Sequence, residues 1–414
     1  MMTQPPQEKI NALFYNSTLA LLIIILPTAF LDEKLSRVIF YWCGYLSIAG
    51  ILFSLAKRKL TTVNTKLPIA YMIMFSIFFF WSTFSSLSND SISQLLFTPA
   101  KRWFIAAAIS LYILNNEAQT HPQRTCKIII TSMLIAFVLA SAYGIFQSIQ
   151  SNQRVVLGIN RATLTAYAYS AFSLALISLL SVNLKKMKYI ILVSIIITSV
   201  YVIFITQTRS AMIIHPLLCS VLLLTSLYND QKLNIKTIAL ALIALLSVIS
   251  LNKEILINRF NSTIHEIQSY QSGNDYTSLG ARFSMWKLGI ISFNDSPWGQ
   301  SESHRNKVIN DYLEKNKESS FATDFINVHL HNEIVQYASL FGITGVSLLL
   351  FFYYMLIFKI STPKITGAIG FSGISALLYG TTDVLFTSIE FIVIFSTTLT
   401  LSYFFINNFR EAKC

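Results

Sequence analysis

KYIILVSIIITSVYVIFIT, residues 188–206, carries one charged side chain, Lys188 at its first position, and is otherwise almost wholly apolar. About 20 such residues are enough for a helix to cross the hydrocarbon core of a bilayer. Nothing in the stretch alternates as a barrel strand would, so its backbone must satisfy itself as a helix. Reading outward at the same length gives about twelve segments: 12–31, 37–56, 67–87, 98–115, 127–149, 162–182, 188–206, 210–228, 235–252, 333–358, 364–385 and 388–407.

Composition agrees. Of 414 residues, 54% are apolar or aromatic and 12% charged, with a mean hydropathy of +0.57, against about 25% charged in soluble domains. So few charges cannot tile a water-exposed surface. The numbers exclude a soluble multidomain protein, disorder, collagen, a coiled coil and a disulfide scaffold. Cys43, Cys126, Cys219 and Cys414 are too scattered for a metal knuckle or a disulfide framework. No small-residue cleavage pattern follows the first apolar stretch, so no cleaved leader is expected. The net charge of +12 would suggest nucleic acid in a soluble chain. In a polytopic one, the placement of the charges matters more, and no nucleic-acid partner is expected.

Orientation follows from Lys and Arg in the short loops. With the N-terminus inside, sixteen of the 31 fall in cytoplasmic segments, among them Lys57, Arg58, Lys59, Lys185 and Lys186. Seven fall in short outer loops: Lys34, Arg37, Lys101, Arg102, Arg154, Arg161 and Arg209. The other eight lie in 253–332, which the rule discounts as a long loop. Both termini are therefore expected in the cytoplasm and the long segment outside. The predicted organisation is nine helices over 1–252, an external subdomain of short helices over 253–332, then three helices and a tail over 333–414. In that subdomain Phe260, Ile264 and Ile267 share one helical face, and Val308, Ile309, Tyr312 and Leu313 form another apolar stripe.

Outer cations run against the positive-inside bias. Arg161 starts the sixth span in Asn160-Arg161-Ala162, and Arg209 stands between the seventh and eighth in Thr208-Arg209-Ser210. Arg282 and Trp286 share a face at i, i+4, and Lys101 and Arg102 begin the fourth span. Lys34, Arg37 and Arg154 read as lipid headgroup anchors. The remaining set converges on one aqueous face, and guanidinium clusters suit phosphate oxygens. The external segment closes with His329-Leu330-His331-Asn332-Glu333, followed by Gly342-Ile343-Thr344-Gly345. An imidazole at the membrane edge accepts a proton near neutral pH, and the two glycines allow close helix approach. His215, before Pro216, reads as packed at a kink; His121 as cytoplasmic; His265 and His304 as exposed. Asp383, near the outer end of the eleventh span, either orients an arginine or imidazole or caps a broken helix.

This pattern resembles the bacterial O-antigen ligase (WaaL-type) family, within the O-antigen ligase/polymerase superfamily. Its hallmark is His, then Asn, Ser or Gln, nine residues, and Gly-x-x-Gly, here His331-Asn332 and Gly342-Ile343-Thr344-Gly345. Arg282 before Trp286, Arg209-Ser210 and Asn160-Arg161-Ala162 also match. After Arg161 the Gly and Pro-Asn pair common in relatives is replaced by Ala162-Thr163-Leu164. The resemblance covers nearly the whole chain in topology and four short stretches in sequence.

It implies an all-α, GT-C-like glycosyltransferase of the inner membrane of a Gram-negative bacterium. Such an enzyme moves a glycan from undecaprenyl pyrophosphate to a sugar hydroxyl of lipid A–core at the periplasmic face. His331, Arg282 and Arg209 would be catalytic, with Arg161, Lys101, Arg102, Asn332, Trp286 and Asp383 binding substrate. No Asp-x-Asp pair occurs in the chain, so neither a metal nor another cofactor is expected, and arginines would hold the diphosphate. The rivals are an O-antigen polymerase with the same donor, an oligosaccharyltransferase, and a polysaccharide transporter or flippase. Transporters usually show internal repeats and midplane ionisable groups, whereas here the polar chemistry gathers at one face.

Overall fold

The computed structural model describes residues 6–56, 63–87, 94–116, 122–151, 153–184, 187–233, 252–316, 320–324, 329–361 and 367–411, with scattered positions between 235 and 250. Its first eight helices are α1 (Pro6–Ala29), α2 (Glu33–Ala56), α3 (Lys66–Leu87), α4 (Gln94–Asn115), α5 (Pro122–Gln150), α6 (Ala162–Asn183), α7 (Lys188–Ile205) and α8 (Arg209–Asn229). Three helices of the long segment follow: α9 (Lys253–Gln271), α10 (Ser278–Asp295) and α11 (Glu302–Asn316). Then come α12 (Glu333–Tyr354), α13 (Ala368–Gly380) and α14 (Ile389–Glu411). The chain is a polytopic all-α membrane protein, and nine helices among the described residues are long and apolar enough to cross a bilayer.

Two expectations change in detail. The span expected at 364–385 is only the 13-residue α13; it starts after Gly367, at φ +106°, and stops before a turn at Thr381–Asp383. The span expected at 235–252 lies largely outside the described residues, as does His121.

α6 and α14 form the centre. Their apolar windows are 89% and 94% buried, against 33–56% for the other seven spans, so they are sheathed by protein while the rest face lipid. In lipid, helices associate through close packing rather than hydrophobic exclusion, and small residues permit it. α6 accordingly buries Ala166, Ala168, Ser170, Ala171, Ser173 and Ala175. Its buried hydroxyls return to carbonyls, Ser173 to Tyr169 at 2.7 Å, while Ser372 of α13 reaches Ala171 at 2.8 Å. His215 is packed as expected, its ring nitrogens 2.8 Å from Ser170 Oγ and 3.0 Å from Ser199 Oγ.

Contacts between loops define the two ends of the bundle. At one, the Gly158 amide donates to Phe30 O (2.8 Å) and Arg154 Nε to Thr206 O (3.0 Å). At the other lie Asn64 with Asn115 (2.7 Å), Asn11 with Asn116 (3.1 Å) and Lys188 with Asp230 (2.7 Å). α9–α11 sit on the first end. α10 and α11 share a small core of Ala281, Met285, Leu288, Ile309 and Leu313 with Ala322 and Leu330, against which Val335 of α12 packs. Ile309 and Leu313 thus use their stripe as expected; Phe260, Ile264 and Ile267 of α9 stay exposed.

The first glycine of Gly342-x-x-Gly345 does something other than notch two helices together. Gly342 breaks α12, with φ +63° and ψ −156°, a conformation essentially restricted to glycine. Into the break comes the turn Ser296–Gly299: Ile343 N donates to Pro297 O (2.9 Å) and Gln300 N to Leu340 O (2.8 Å). A Cβ on Gly342 would stand 2.5 Å from Gly299 N. The glycine lets the long segment dock, backbone on backbone, about three turns below His331. Gly342→Ala is expected to lose about 1–3 kcal/mol from the backbone conformation alone and more from the clash. Lower abundance and a reduced Tm in detergent would show it; an unchanged Tm would refute this role.

Candidate active site

His331 lies immediately before α12, and its own backbone is unusual. Its φ is +48°, a left-handed conformation that disfavours a side-chain-bearing residue by about 1–2 kcal/mol. Asn332 caps the helix, its Oδ1 accepting from Val335 N at 3.1 Å. Trp286 Nε1 lies 3.4 Å from the His331 carbonyl. The strained residue is therefore held from both sides, and its ring is aimed rather than free.

It is aimed at Asp383. His331 Nδ1 stands 3.1 Å from Asp383 Oδ1. Burial pushes the Asp383 carboxyl up, but the His331 hydrogen bond and the Arg282 charge work against it, and the carboxyl is held below the ordinary carboxylate range. Near neutral pH Asp383 is ionised and can only accept. Nδ1 must then carry a proton, so that in the neutral ring the lone pair is on Nε2. Of the two roles open to Asp383, orienting an imidazole is the one seen.

The turn that presents Asp383 is clamped along its length. Asn332 Nδ2 donates to Thr381 O (3.0 Å), and buried Glu333 accepts from Phe386 N (3.0 Å). Trp103 Nε1 donates to Phe386 O and Arg102 Nη1 to Thr387 O, each at 3.1 Å. Thr382 Oγ1 lies 3.1 Å from the Tyr167 hydroxyl. Residues 331–333, contiguous in sequence, thus fix both the imidazole and its carboxylate.

The pair faces a cavity of about 830 Å³ whose lining includes Arg37, Arg102, Arg161, Glu302, His329, His331, Asp383 and Glu390. That volume is ordinary for a substrate site. Arg37 is paired with Glu390 at 3.1 Å, so it is a wall of the site and not the headgroup anchor expected. The guanidinium of Arg161, exposed at the start of α6, has no hydrogen-bonded or ion-paired partner among the described residues, which makes it the cation of the lining most available to an anion. The His329 ring packs edge-on against His331, centroids 4.2 Å apart. Burial first, and the neighbouring His331 and Arg161 next, push its pKa down to about 4, so it is neutral at pH 7.

The other expected site residues lie outside that lining. Arg282, half-buried on α10, is near enough to Asp383 for its charge to help hold the carboxyl ionised. Arg209 makes a two-pronged ion pair with Glu266 of α9, and Glu266 also accepts from Leu279 N at 3.0 Å. Lys101 lies over the Tyr41 ring, 5.1 Å from its centroid. Asn332 and Trp286 are engaged in holding His331. Arg154, expected at headgroups, instead ties residues 153–156 to Thr206 and Thr208.

The sequence reading set Arg37 among the headgroup anchors and gave no role of their own to His329, Glu333, Glu266 and Glu390. A signal existed for two of them: His329 and Glu333 flank His331 at two residues on either side. His329, His331 and Asp383 bring ligand atoms within 4.8 Å of one another, a geometry open to a metal ion. Three arginines share the lining with Glu302, Asp383 and Glu390, and exposed Arg161 is the group there best suited to an anion.

A family model described as O-antigen ligase matches residues 192–350. That window holds Arg209, Arg282, His331 and both glycines of the motif; Arg161 and Asp383 lie outside it. The chain is 27% identical over 337 residues to the O-antigen ligase of Escherichia coli K12, covering 80% of this chain and 79% of that protein. It is also 36% identical over 78 residues to an uncharacterized protein of Haemophilus influenzae, covering 19% of this chain and 20% of that one.

The clamp is open to direct measurement. Glu333→Ala leaves the Phe386 amide buried without an acceptor, a loss of about 1–3 kcal/mol, and should raise hydrogen exchange across 381–388. Glu333→Gln keeps an acceptor oxygen and should restore most of the protection. Equal exchange in wild type and Glu333→Ala would exclude the clamp.

Proposed function

This chain belongs to the O-antigen ligase family, and from that premise we propose that it transfers a glycan from undecaprenyl pyrophosphate to a sugar hydroxyl of lipid A–core. A glycosyl-transferring role in lipopolysaccharide biosynthesis follows from the family; donor, acceptor and periplasmic placement of the site are the proposal. The observation that carries it is the His331–Asp383 pair facing a cavity walled by Arg37, Arg102 and Arg161.

The chemistry matches what those groups can do. The acceptor hydroxyl attacks the sugar C1 while the C1–O bond to the diphosphate breaks, so that configuration at C1 inverts. The hydroxyl proton passes to His331 Nε2, the nitrogen left free by Asp383. Negative charge grows on the departing diphosphate, and preorganised guanidiniums stabilise it where water is scarce. Arg161 makes the first contact with that diphosphate. Arg282, whose charge is felt at Asp383, and Arg209, which shares its charge with Glu266, add positive potential at the same end of the bundle. A neutral His329 offers the acceptor sugar a hydrogen-bond partner without adding charge.

Purified protein given lipid-linked glycan and core acceptor in detergent is expected to form the linked product, which a transporter would not do. His331→Ala should lower the rate by at least about 10²-fold, the scale of general-base catalysis; native turnover would remove the base assignment. Arg161→Ala and Arg282→Ala should each lose transfer with abundance unchanged. Transfer should survive exhaustive chelation, whereas rescue only by magnesium or manganese would transfer the arginines' role to a metal. In cells, deletion should abolish capped core and leave lipid-linked polymer. A core carrying a single repeat would indicate a polymerase instead.

A further inference from the structure

Among the described residues α9 is the one helix of the long segment without a buried residue, and its exposed side is not uniformly polar. Ile257, Phe260, Ile264 and Ile267 are 54%, 65%, 40% and 38% exposed. Their spacing of three, four and three residues places them in one stripe along the helix. Asn258, Asn261, Ser262 and His265 project from another side and are exposed as well. A polar helix in water has no use for such a stripe.

The attachments of α9 say where the stripe points. Ile255 and Leu256 pack against the main core of the bundle. Arg259 donates to Gln207 Oε1 in the α7–α8 turn at 2.6 Å, and Glu266 grips Arg209, the first residue of α8. Three points spread over residues 255–266 thus touch the rim where spans end, about 16 Å of helix at 1.5 Å per residue. A helix tied at three places along that rim runs parallel to the membrane surface. One turn inward from Arg209, on the same face of α8, stands Ile213, 70% exposed, and a turn further Leu217, 58% exposed. These face acyl chains. The apolar track on α8 therefore leads up to α9 without an intervening layer of protein.

We propose that α9 is an interfacial helix: it lies in the membrane–water boundary at the site end of the bundle, with Ile257, Phe260, Ile264 and Ile267 immersed among lipid acyl chains. Amphipathic helices seat in this way, apolar face about 5–10 Å below the headgroups and polar face in water. The Arg209–Glu266 pair then sits at headgroup level, and α9 becomes a lipid-anchored strut for the docking of α10. The inference stands on packing alone and does not depend on the transfer chemistry.

The test uses the full chain with Cys414→Ser, whose remaining cysteines are buried, in nanodiscs of phosphatidylethanolamine and phosphatidylglycerol. Single cysteines are placed at Phe260, Ile264, Asn261 and His265, and reacted with a charged, membrane-impermeant maleimide. Cysteines at 260 and 264 should react at least about 10-fold more slowly than those at 261 and 265, as expected for a face held out of water. Brominated acyl chains should quench a fluorophore at 260 but not one at 265. Equal reactivity at all four positions, with no quenching, would place the stripe in water and overturn the proposal. Protection that appears only with two copies per disc, with cross-linking through 260, would assign the stripe to a second copy of this chain and overturn it equally.

Discussion

A carboxylate that stays ionised against its own burial sets the rest of the site. Because Asp383 can only accept, it decides which nitrogen of His331 bears hydrogen and so which nitrogen is a base. That single contact bridges residues 52 apart, and it needs both ends to be immobile. The fold supplies this by making one short run, His331–Glu333, hold the imidazole, cap α12 and grip the Asp383 turn at Thr381 and Phe386.

The rigidity is inherited from deeper in the bundle. α6 and α14 are buried on nearly all sides, so the ends they present, Arg161 and the 381–388 turn, cannot drift apart as loops between lipid-facing helices could. Gly342 fixes the third component. By breaking α12 it admits the 296–299 turn, which seats α10 and with it Trp286 and Arg282 beside the pair. Positive charge is then graded by partner. Arg37 and Arg209 are balanced by glutamates, Arg102 by a carbonyl, and Arg161 is left facing the cavity. An anion entering that space meets one available guanidinium backed by several restrained ones.

How much of this was legible is clearest residue by residue. His331, Arg161, Arg102 and Asp383 were all singled out from the chain, and all line one cavity, because ionisable groups at span ends are conspicuous against apolar spans. Arg37 was assigned to headgroups, since nothing in its surroundings reveals Glu390, 353 positions away. Arg209 and Arg282 lie outside the lining, for the same reason: spacing along a helix does not tell what the facing helix offers. The glycine motif was read as a helix notch because a kink and a notch leave the same two letters.

Membrane residence and the all-helical build were determined by the sequence alone. Each follows from local composition and length, which lipid enforces segment by segment. Which arginine meets a ligand, which nitrogen of His331 is free, and why Glu333 adjoins it were decided only by tertiary structure. Those depend on pairings between residues far apart in the chain, and the energy of a buried charge is fixed by the partner it finds and not by its neighbours in sequence.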